Sequence, residues 1–388
     1  MSREGSSNKA LQRVGELYQH RSLRVKELKK NGRLVMGYFC CYVPIEIFTA
    51  AGIIPYRIMG NARETPTVAD TYLDTNFCPY VRSCFDVAMK GEYRFLDGIL
   101  WPTSCDNLTN LYGVWEYNMK LPFSYSLDIP RVPDDIALEF FTEEVTEFKQ
   151  AVEKFTGNTI GEARLVEAID LHNKNRALLR QLYGLRKSDP PLISGSEVLQ
   201  VLVAVMSLPV AEANALLADL IDEIQGRRDG PPKRRTRILM TGNELDDSSF
   251  ISMIEDCGAN VVIDSLCIGT RFLWKEVGSN GNPIKALSRR YLKDILCSQT
   301  YRGSAGSTRK EELEARFGEI KELARDWSAD GAIIYVMKYC DAEEWDVPDL
   351  RDYLEENGLP VLHLEHDYST LALAPVRNRV EAFVEMLE

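Results

Sequence analysis

A unit that recurs three times constrains the fold of this chain more than any other feature of its sequence. Each unit contains an apolar strand, a polar loop, a short helix, a glycine and a second strand, and the units occupy residues 35–58, 238–263 and 333–364. Two strands joined through a helix form a parallel pair, because the chain must cross over to return in the same direction. Right-handed crossovers then bring the polar loops to the carboxyl ends of the strands, which is the edge where open parallel sheets bind ligands.

The stretch between these units has a different pattern. From residue 135 onward, apolar residues recur at helical spacing, and the basic sequence GRRDGPPKRRTR then follows as a linker. We therefore predict an α/β protein with two Rossmann- or flavodoxin-like parallel-sheet lobes and a helical segment between them. The predicted divisions are 1–134 for the N-terminal lobe with its leading helix, 135–232 for the helical segment and linker, and 233–388 for the C-terminal lobe.

The composition excludes several classes of function. A net charge of −12 over 388 residues argues against non-specific binding to nucleic acid and against docking on anionic lipid. The N-terminus has no apolar core of signal-peptide length, and no run of about 18 apolar residues, the length of a membrane span, occurs. We therefore expect a cytoplasmic protein. The glycine-rich motifs GxGxxG and GxxxxGK[ST] do not occur, so the chain itself is not expected to bind a nucleoside triphosphate.

Nine cysteines are present, and several of them occupy corresponding places in the predicted fold. Cys40 and Cys41 end the first strand, while Cys105 and Cys340 each follow a later strand. Cys78 opens a helix just before a proline, where helix amides and the positive end of the helix dipole favour a thiolate. The pattern therefore predicts that cysteines from both lobes converge on the ligand-binding edge of the sheets.

The remaining cysteines have other interpretations. Cys267 also follows a strand, whereas Cys84, Cys257 and Cys297 lie in helix-like patterns and are predicted to be core residues. No CxxC pair occurs, which argues against a zinc ribbon and against a ferredoxin-type run. From spacing alone, a metal site with scattered ligands and a set of packing thiols both remain open.

Several motifs that occur in order along the chain resemble the cluster-bearing subunits of the benzoyl-CoA reductase and 2-hydroxyacyl-CoA dehydratase family. The resemblance covers about residue 30 to the C-terminus and is nearest to the C-type subunit of the ATP-dependent benzoyl-CoA reductases. The motifs are GYFCCYVPIEIFTAAGIIPYRIMG, NFCPYVRSC, DGILWPTSCDN, DCGANVVIDSLCIGTR, DGAIIYVMKYCD, LRDYLEENGLPVLHLEHDY and RVEAFVEML.

This resemblance implies an iron–sulfur cofactor and specific partners. The family has three cysteine ligands for each [4Fe–4S] cluster, and these fall on Cys78, Cys105 and Cys340. A larger iron–sulfur cluster, which Cys41 or Cys267 would join, is the alternative. The implied partners are a homologous second cluster-bearing subunit, an ATP-hydrolysing iron–sulfur activator and an acyl-CoA substrate.

Glu46 is a candidate catalytic residue next to this site. It lies early in the helix after Cys40 and Cys41, where its side chain would point toward the cluster pocket. A buried carboxylate there would have a raised pKa and could exchange a proton. The alternative is a structural role, in which the carboxylate stabilises the positive end of the helix dipole.

The resemblance leaves three reactions open. The first is reduction of an aromatic acyl-CoA such as benzoyl-CoA to the cyclic diene in an oxygen-sensitive, anaerobic enzyme, driven by ATP through the separate activator. The second is dehydration of an (R)-2-hydroxyacyl-CoA through a ketyl radical, and the third is reduction of other small molecules at a larger cluster. The interval between Cys78 and Cys105 is shorter than expected for the dehydratases, which favours the reductase.

Overall fold

The structure, a computed structural model, describes residues 8–303 and 306–388. Within these ranges the chain forms eight β-strands and fifteen α-helices. The strands are β1 (Val35–Tyr38), β2 (Ile54–Arg57), β3 (Gly98–Pro102), β4 (Phe123–Leu127), β5 (Thr236–Gly242), β6 (Ala259–Ser265), β7 (Gly331–Met337) and β8 (Val361–His366). The helices are α1 (Lys9–Gln19), α2 (Ser22–Lys30), α3 (Glu46–Ala50), α4 (Pro79–Met89), α5 (Asp106–Met119), α6 (Asp135–Thr156), α7 (Glu162–Gly184), α8 (Gly195–Val205), α9 (Val210–Gly226), α10 (Ser249–Asp256), α11 (Thr270–Leu273), α12 (Pro283–Lys293), α13 (Arg309–Asp326), α14 (Asp341–Glu356) and α15 (Ala374–Leu387).

The strands form two parallel sheets of four strands each, with the same topology. The first sheet has the order β2-β1-β3-β4 and the second has the order β6-β5-β7-β8. Both match the first four strands of the flavodoxin-like order 2-1-3-4-5. The predicted α/β class with two parallel-sheet lobes is therefore confirmed.

Burial along the strands explains why they read as apolar runs. The strands β1, β3, β5, β6 and β7 are buried over their whole length, as expected when helices cover both faces of a parallel sheet. The edge strands β4 and β8 are only partly buried. No described helix combines the length and the apolar character that crossing a membrane requires.

The helical segment between the sheets consists of α6 to α9 and contacts both lobes. α6 packs on β4 of the first sheet, and α8 packs on β6 of the second. The predicted divisions at residues 134 and 232 stay predictions, since these helices are shared between the two sheets.

The leading helix predicted for residues 9–30 is two helices, α1 and α2. The backbone of His20 leaves the helical region between them. α1 packs against α8 and α9 through its buried face, which includes Val14 and Leu17. The carboxylate of Glu223 accepts hydrogen bonds from the first amides of α1, at Ala10 and Leu11, over 2.8 and 3.0 Å. The chain thus returns to its own N-terminus after the helical segment.

Gly242 ends β5 with a backbone that other residues rarely adopt. Its φ is +139°, and a Cβ added there would lie 1.7 Å from the carbonyl oxygen of Tyr335 in β7. Only glycine allows β5 to approach β7 this closely while the chain turns toward the loop that begins at Asn243.

We therefore expect Gly242→Ala to destabilise the protein by about 3 kcal/mol or to prevent folding, since it combines a steric clash with backbone strain. Gly113→Ala is the matched control, because Gly113 is an exposed residue of α5 with open space around its Cβ position. That change should stabilise the protein by about 0.5–1 kcal/mol. Urea unfolding followed by circular dichroism measures both effects, and equal midpoints for the two variants would contradict the argument.

Candidate functional site

The two sheets have topological switch points at corresponding strands. In sheets of this order, the loops that leave the two central strands diverge and open a crevice at the carboxyl edge. Cys40 and Cys105 follow β1 and β3, the central strands of the first sheet. Asn243 and Cys340 follow β5 and β7, the central strands of the second. Polar and thiol side chains from both sheets therefore occupy the positions where such folds bind ligands.

The three predicted ligands share a local environment at the start of a helix. Cys78 is the N-cap residue of α4, Cys105 that of α5 and Cys340 that of α14. Free amides of the first turn and the positive end of the helix dipole face each N-cap position. Negative charge on these sulfurs would be stabilised by that arrangement.

One side chain links the three loops that carry these cysteines. Asn107 lies two residues after Cys105, and its Oδ1 accepts a hydrogen bond of 2.8 Å from the backbone amide of Cys78. Its Nδ2 donates to the carbonyl oxygen of Tyr339, the residue before Cys340, over 3.4 Å. Segments that are far apart in sequence are thus held together by a single amide.

A second asparagine positions the sulfur of Cys340. Nδ2 of Asn243 donates to Sγ of Cys340 over 2.9 Å, and Oδ1 of Asn243 accepts from the backbone amide of Met337 over 2.6 Å. Tyr339, between them, has a φ of +63°, which turns the chain sharply after β7. The loop after β5 therefore controls where the Cys340 thiol points.

The pKa values of these thiols show that they influence one another. Burial raises the pKa of Cys105 to about 12, and negative charge on Cys40 and Cys78 also acts to raise it. Burial raises the pKa of Cys340 well above its ordinary value, with smaller contributions from Cys78 and Cys105. At Cys78 burial again raises the pKa, opposed by the amides of α4. The expected preference for a thiolate at Cys78 is therefore outweighed by burial in the protein alone.

The sulfurs do not form a metal-binding set in this structure. Among residues 8–303 and 306–388, no three His, Cys, Asp or Glu side chains are grouped in a way that could hold a metal ion. The structure brings the three loops together without bringing the three thiols into a ligand arrangement. The assignment of Cys78, Cys105 and Cys340 as ligands stays a prediction.

A second group of thiols lies beside the first. The sulfurs of Cys40 and Cys41 are 4.0 Å apart, and Cys41 also forms a hydrogen bond with Cys297. The hydrogen bond from Cys41 lowers the pKa of Cys40 to about 6 and also lowers the pKa of Cys297. The prediction that Cys297 lies in a helix is wrong, since α12 ends at residue 293 and Cys297 follows in a loop.

Cys267, the other cysteine left open, lies close to a guanidinium. Nη1 of Arg271 is 3.8 Å from its sulfur. Arg271 also forms a buried ion pair with Glu343, three residues after Cys340. Burial raises the pKa of Cys267, and the charge of Arg271 lowers it. Neither Cys41 nor Cys267 is excluded from a ligand role by this geometry, and both stay predictions.

Glu46 does not have the raised pKa that the sequence suggested. It is fully buried at the start of α3, where its carboxylate accepts hydrogen bonds from Arg176 over 2.5 Å and from the Tyr291 hydroxyl over 2.9 Å. Burial raises the pKa of Glu46, but the charges of Arg176, His172 and Arg290 outweigh burial and lower it to about 2. The carboxylate is held ionised, which favours a structural role; proton exchange by Glu46 stays a prediction.

Sequence reasoning missed the two asparagines that organise the site. Asn107 belongs to the motif DGILWPTSCDN, and Asn243 begins the polar loop after β5. Their position just beyond strands of a parallel sheet was the available signal. Which of several polar loop residues reaches a cysteine depends on contacts across the sheets, and no local pattern encodes those contacts.

The sequence profile of the family described as 2-hydroxyglutaryl-CoA dehydratase, D-component, matches residues 40–387. The match begins at Cys40 and includes every cysteine discussed above. The chain belongs to this family.

Individual relatives agree with the family match along nearly the whole chain. The C-type subunit of the benzoyl-CoA reductase of Thauera aromatica is 28% identical over 92% of this chain and 91% of its own length. The (R)-phenyllactyl-CoA dehydratase beta subunit of Clostridium sporogenes is 26% identical over 94% of both chains. The (R)-2-hydroxyglutaryl-CoA dehydratase beta subunit of Acidaminococcus fermentans is 25% identical over 92% and 94%. These names confirm the prediction of an enzyme subunit of the reductase and dehydratase group.

A solved structure also aligns, but only weakly. A GTP-binding protein of Sulfolobus solfataricus in complex with GDP covers 92% of this chain with a TM-score of 0.23 and 10% identity. These values are too low to support any inference about fold or function.

Replacing Glu46 by Gln is expected to cost about 3–5 kcal/mol of stability, because it leaves the buried charge of Arg176 uncompensated. The pKa of Glu46 is lowered from 4.5 to about 2, so its contribution is complete above pH 4.5 and is lost as the pH falls toward 2. The difference in unfolding free energy between wild type and variant should shrink over that range. Urea unfolding at several pH values measures it.

The control for this change is Glu167→Gln on α7. Glu167 is exposed, so its replacement should change the unfolding free energy by less than about 0.5 kcal/mol at any of these pH values. An equal loss of stability in both variants would show that Glu46 has no special structural role.

Proposed function

We propose that this chain is the iron–sulfur subunit of an ATP-dependent acyl-CoA reductase that acts on an aromatic acyl-CoA such as benzoyl-CoA, with electrons delivered by a separate ATP-hydrolysing activator. The observation that supports it best is the junction at Asn107, which joins the loops of all three predicted cluster ligands. The relationship to a benzoyl-CoA reductase subunit over nearly the full length supports the choice of substrate class.

The donor set fits an iron–sulfur cluster. Cys78, Cys105 and Cys340 come from both lobes, are largely buried and act on one another's pKa. These three residues would hold the cluster, which when bound supplies single electrons at low potential. Because burial raises their pKa values, binding of iron must displace the thiol protons, and assembly should be favoured at higher pH.

The surroundings of the thiols suit electron transfer at low potential. Burial and a small number of hydrogen bonds to sulfur both favour a low potential, because they do not stabilise the extra negative charge. The described residues provide Sγ of Cys340 with one side-chain donor, Nδ2 of Asn243. The protein thus contributes placement, exclusion of water and a limited number of donors.

The proposed partners follow from the relatives. Each of the three relatives described above is named as one subunit of an enzyme that acts on a CoA thioester, or reduces one. We therefore propose a homologous second subunit and an acyl-CoA substrate, with cytoplasmic location as predicted from the sequence. The activator is proposed because a low-potential donor must drive the reduction of an aromatic ring.

Dehydration of an (R)-2-hydroxyacyl-CoA is the second candidate. The family profile carries a dehydratase description, and two of the relatives above are dehydratase beta subunits. Their identities of 25% and 26% differ little from the 28% of the reductase subunit. The two reactions would use the same cysteines, so experiment must separate them.

The ligand assignment predicts iron loss from specific variants. Anaerobic purification of the chain with its partner subunit should give brown protein with about four irons per chain. Single changes to Ser at Cys78, Cys105 or Cys340 should each remove most of the iron, because the cluster then loses one of three thiolates. Iron analysis and electron paramagnetic resonance after reduction measure the effect.

Cys257→Ser is the matched control for those changes. Cys257 ends α10 and has no predicted ligand role, so this variant should keep its iron. Colourless, iron-free wild-type protein under anaerobic conditions would refute the cluster. Loss of iron in Cys84→Ser together with its retention in Cys78→Ser would move the ligand to Cys84.

The stoichiometry of ATP distinguishes the two reactions. A ring reductase should consume ATP and reductant in every turnover, whereas a dehydratase recovers its electron and needs both only to start. The assembled complex with its activator should therefore be assayed anaerobically with benzoyl-CoA and with a 2-hydroxyacyl-CoA. Continuous ATP consumption with benzoyl-CoA is the expected result. Sustained turnover of the hydroxyacyl thioester after one activation, with benzoyl-CoA untouched, would establish the dehydratase instead.

A further inference from the structure

A cavity of about 540 Å³ lies away from the cysteines, where the N-terminal helices meet both lobes. Its wall includes the turn between α1 and α2, the loop after β2, the end of α4 and the loop after β5. None of the nine cysteines is among its lining residues. The volume is in the range of about 300–1,000 Å³ that is typical of sites for small molecules.

Arg21 presents one unpaired donor in this cavity. Its Nη2 donates to the hydroxyl of Tyr93 over 2.8 Å, and its guanidinium carbon lies 5.3 Å from the centre of the Tyr56 ring. The other terminal nitrogen, Nη1, is buried without a hydrogen-bond partner. A guanidinium held in this way is oriented before any ligand arrives, and its free N–H groups can bind an anion.

Asp246 presents an unpaired acceptor in the same cavity. The residue is only 8% exposed, and its Oδ1 accepts a hydrogen bond of 2.7 Å from the hydroxyl of Tyr368. Its Oδ2 is buried and has no partner. Arg21 and Asp246 act on each other's pKa but make no ion pair within 4.0 Å. Each charge therefore lacks a direct partner at the atom that remains free.

The other charged groups around the cavity are already paired. Arg63 binds Asp247 over 3.0 Å, and Lys90 binds Glu64 over 2.8 Å. Of the lining residues, Arg21 and Asp246 alone have a buried side-chain nitrogen or oxygen without a partner. A buried polar atom without a partner costs free energy, so a ligand that satisfies both atoms would be favoured.

We propose that this cavity binds an α-amino acid with an aromatic side chain. The carboxylate of the ligand would accept hydrogen bonds from Arg21, and its ammonium group would donate to Asp246. The side chain would pack among the tyrosine rings that line the cavity at residues 18, 56 and 93, which favour an aromatic partner. A ligand with only one of the two charges would leave either Arg21 or Asp246 unsatisfied.

Calorimetric titration of the full-length chain tests this proposal, with L-phenylalanine, L-tyrosine and L-tryptophan as probes. At least one of them should bind with a saturable signal. Two analogues of phenylalanine, 3-phenylpropionate without the ammonium group and phenethylamine without the carboxylate, should each bind at least about tenfold more weakly. A hydrogen bond to a charged group is worth about 1.5–3 kcal/mol, and 1.4 kcal/mol corresponds to a factor of ten.

Variants assign the two charges. Arg21→Gln and Asp246→Asn should each weaken binding about tenfold or more. Asp247→Asn, at a lining carboxylate that is already paired with Arg63, should change the affinity less than about twofold. Absence of binding by all three amino acids would overturn the proposal, as would analogues that bind as tightly as phenylalanine. The comparison of analogues uses wild-type protein, so it decides the question even if a variant fails to fold.

Discussion

A buried ion pair between Arg57 and Glu244 fixes the two lobes relative to each other. The Arg57 guanidinium at the end of β2 lies 2.8 Å from the Glu244 carboxylate in the loop after β5, and both side chains are almost inaccessible to water. Burying two charges is costly unless their geometry and further hydrogen bonds compensate. Arg57 meets that condition in part by also donating to the carbonyl oxygen of Cys40. The pair therefore sets the separation of the two carboxyl edges, and the cysteine loops take their relative positions from it.

The helix α7 extends this connection on the other side of the molecule. Its Arg176 pairs with Glu46 of the first lobe, while its Tyr183 donates to Asp264 of the second lobe over 2.7 Å. Arg186, just beyond the helix, adds a charge 3.6 Å from the same carboxylate. The helical segment is thus a strut that has polar anchors in both sheets. Its buried charges explain why it differs in composition from a simple linker and why it cannot be separated cleanly from either lobe.

Local patterns predicted the strands, the parallel sheets and the position of the cysteines, because a residue directly after a strand of a parallel sheet must lie at its carboxyl edge. Contacts between distant segments were not predictable in this way. Glu46 and Arg176 are 130 residues apart, and nothing in the pattern of α7 distinguishes this arginine from its neighbours. Cys297 was likewise assigned to a helical core, although a loop places it against Cys41. The ligand roles of Cys78, Cys105 and Cys340 come from family resemblance and remain to be tested by experiment.

The packing of α1 on the helical segment has a consequence for synthesis on the ribosome. The first sheet uses residues 35–127 alone and can assemble while the rest of the chain is still being made. α1 must wait for α8 and α9, which end at residue 226. Until then Val14 and Leu17 have no covering surface, and the nascent protein presents an amphipathic helix that is prone to misassociate. Protection by chaperones should therefore matter most during this interval, well before the second sheet has emerged.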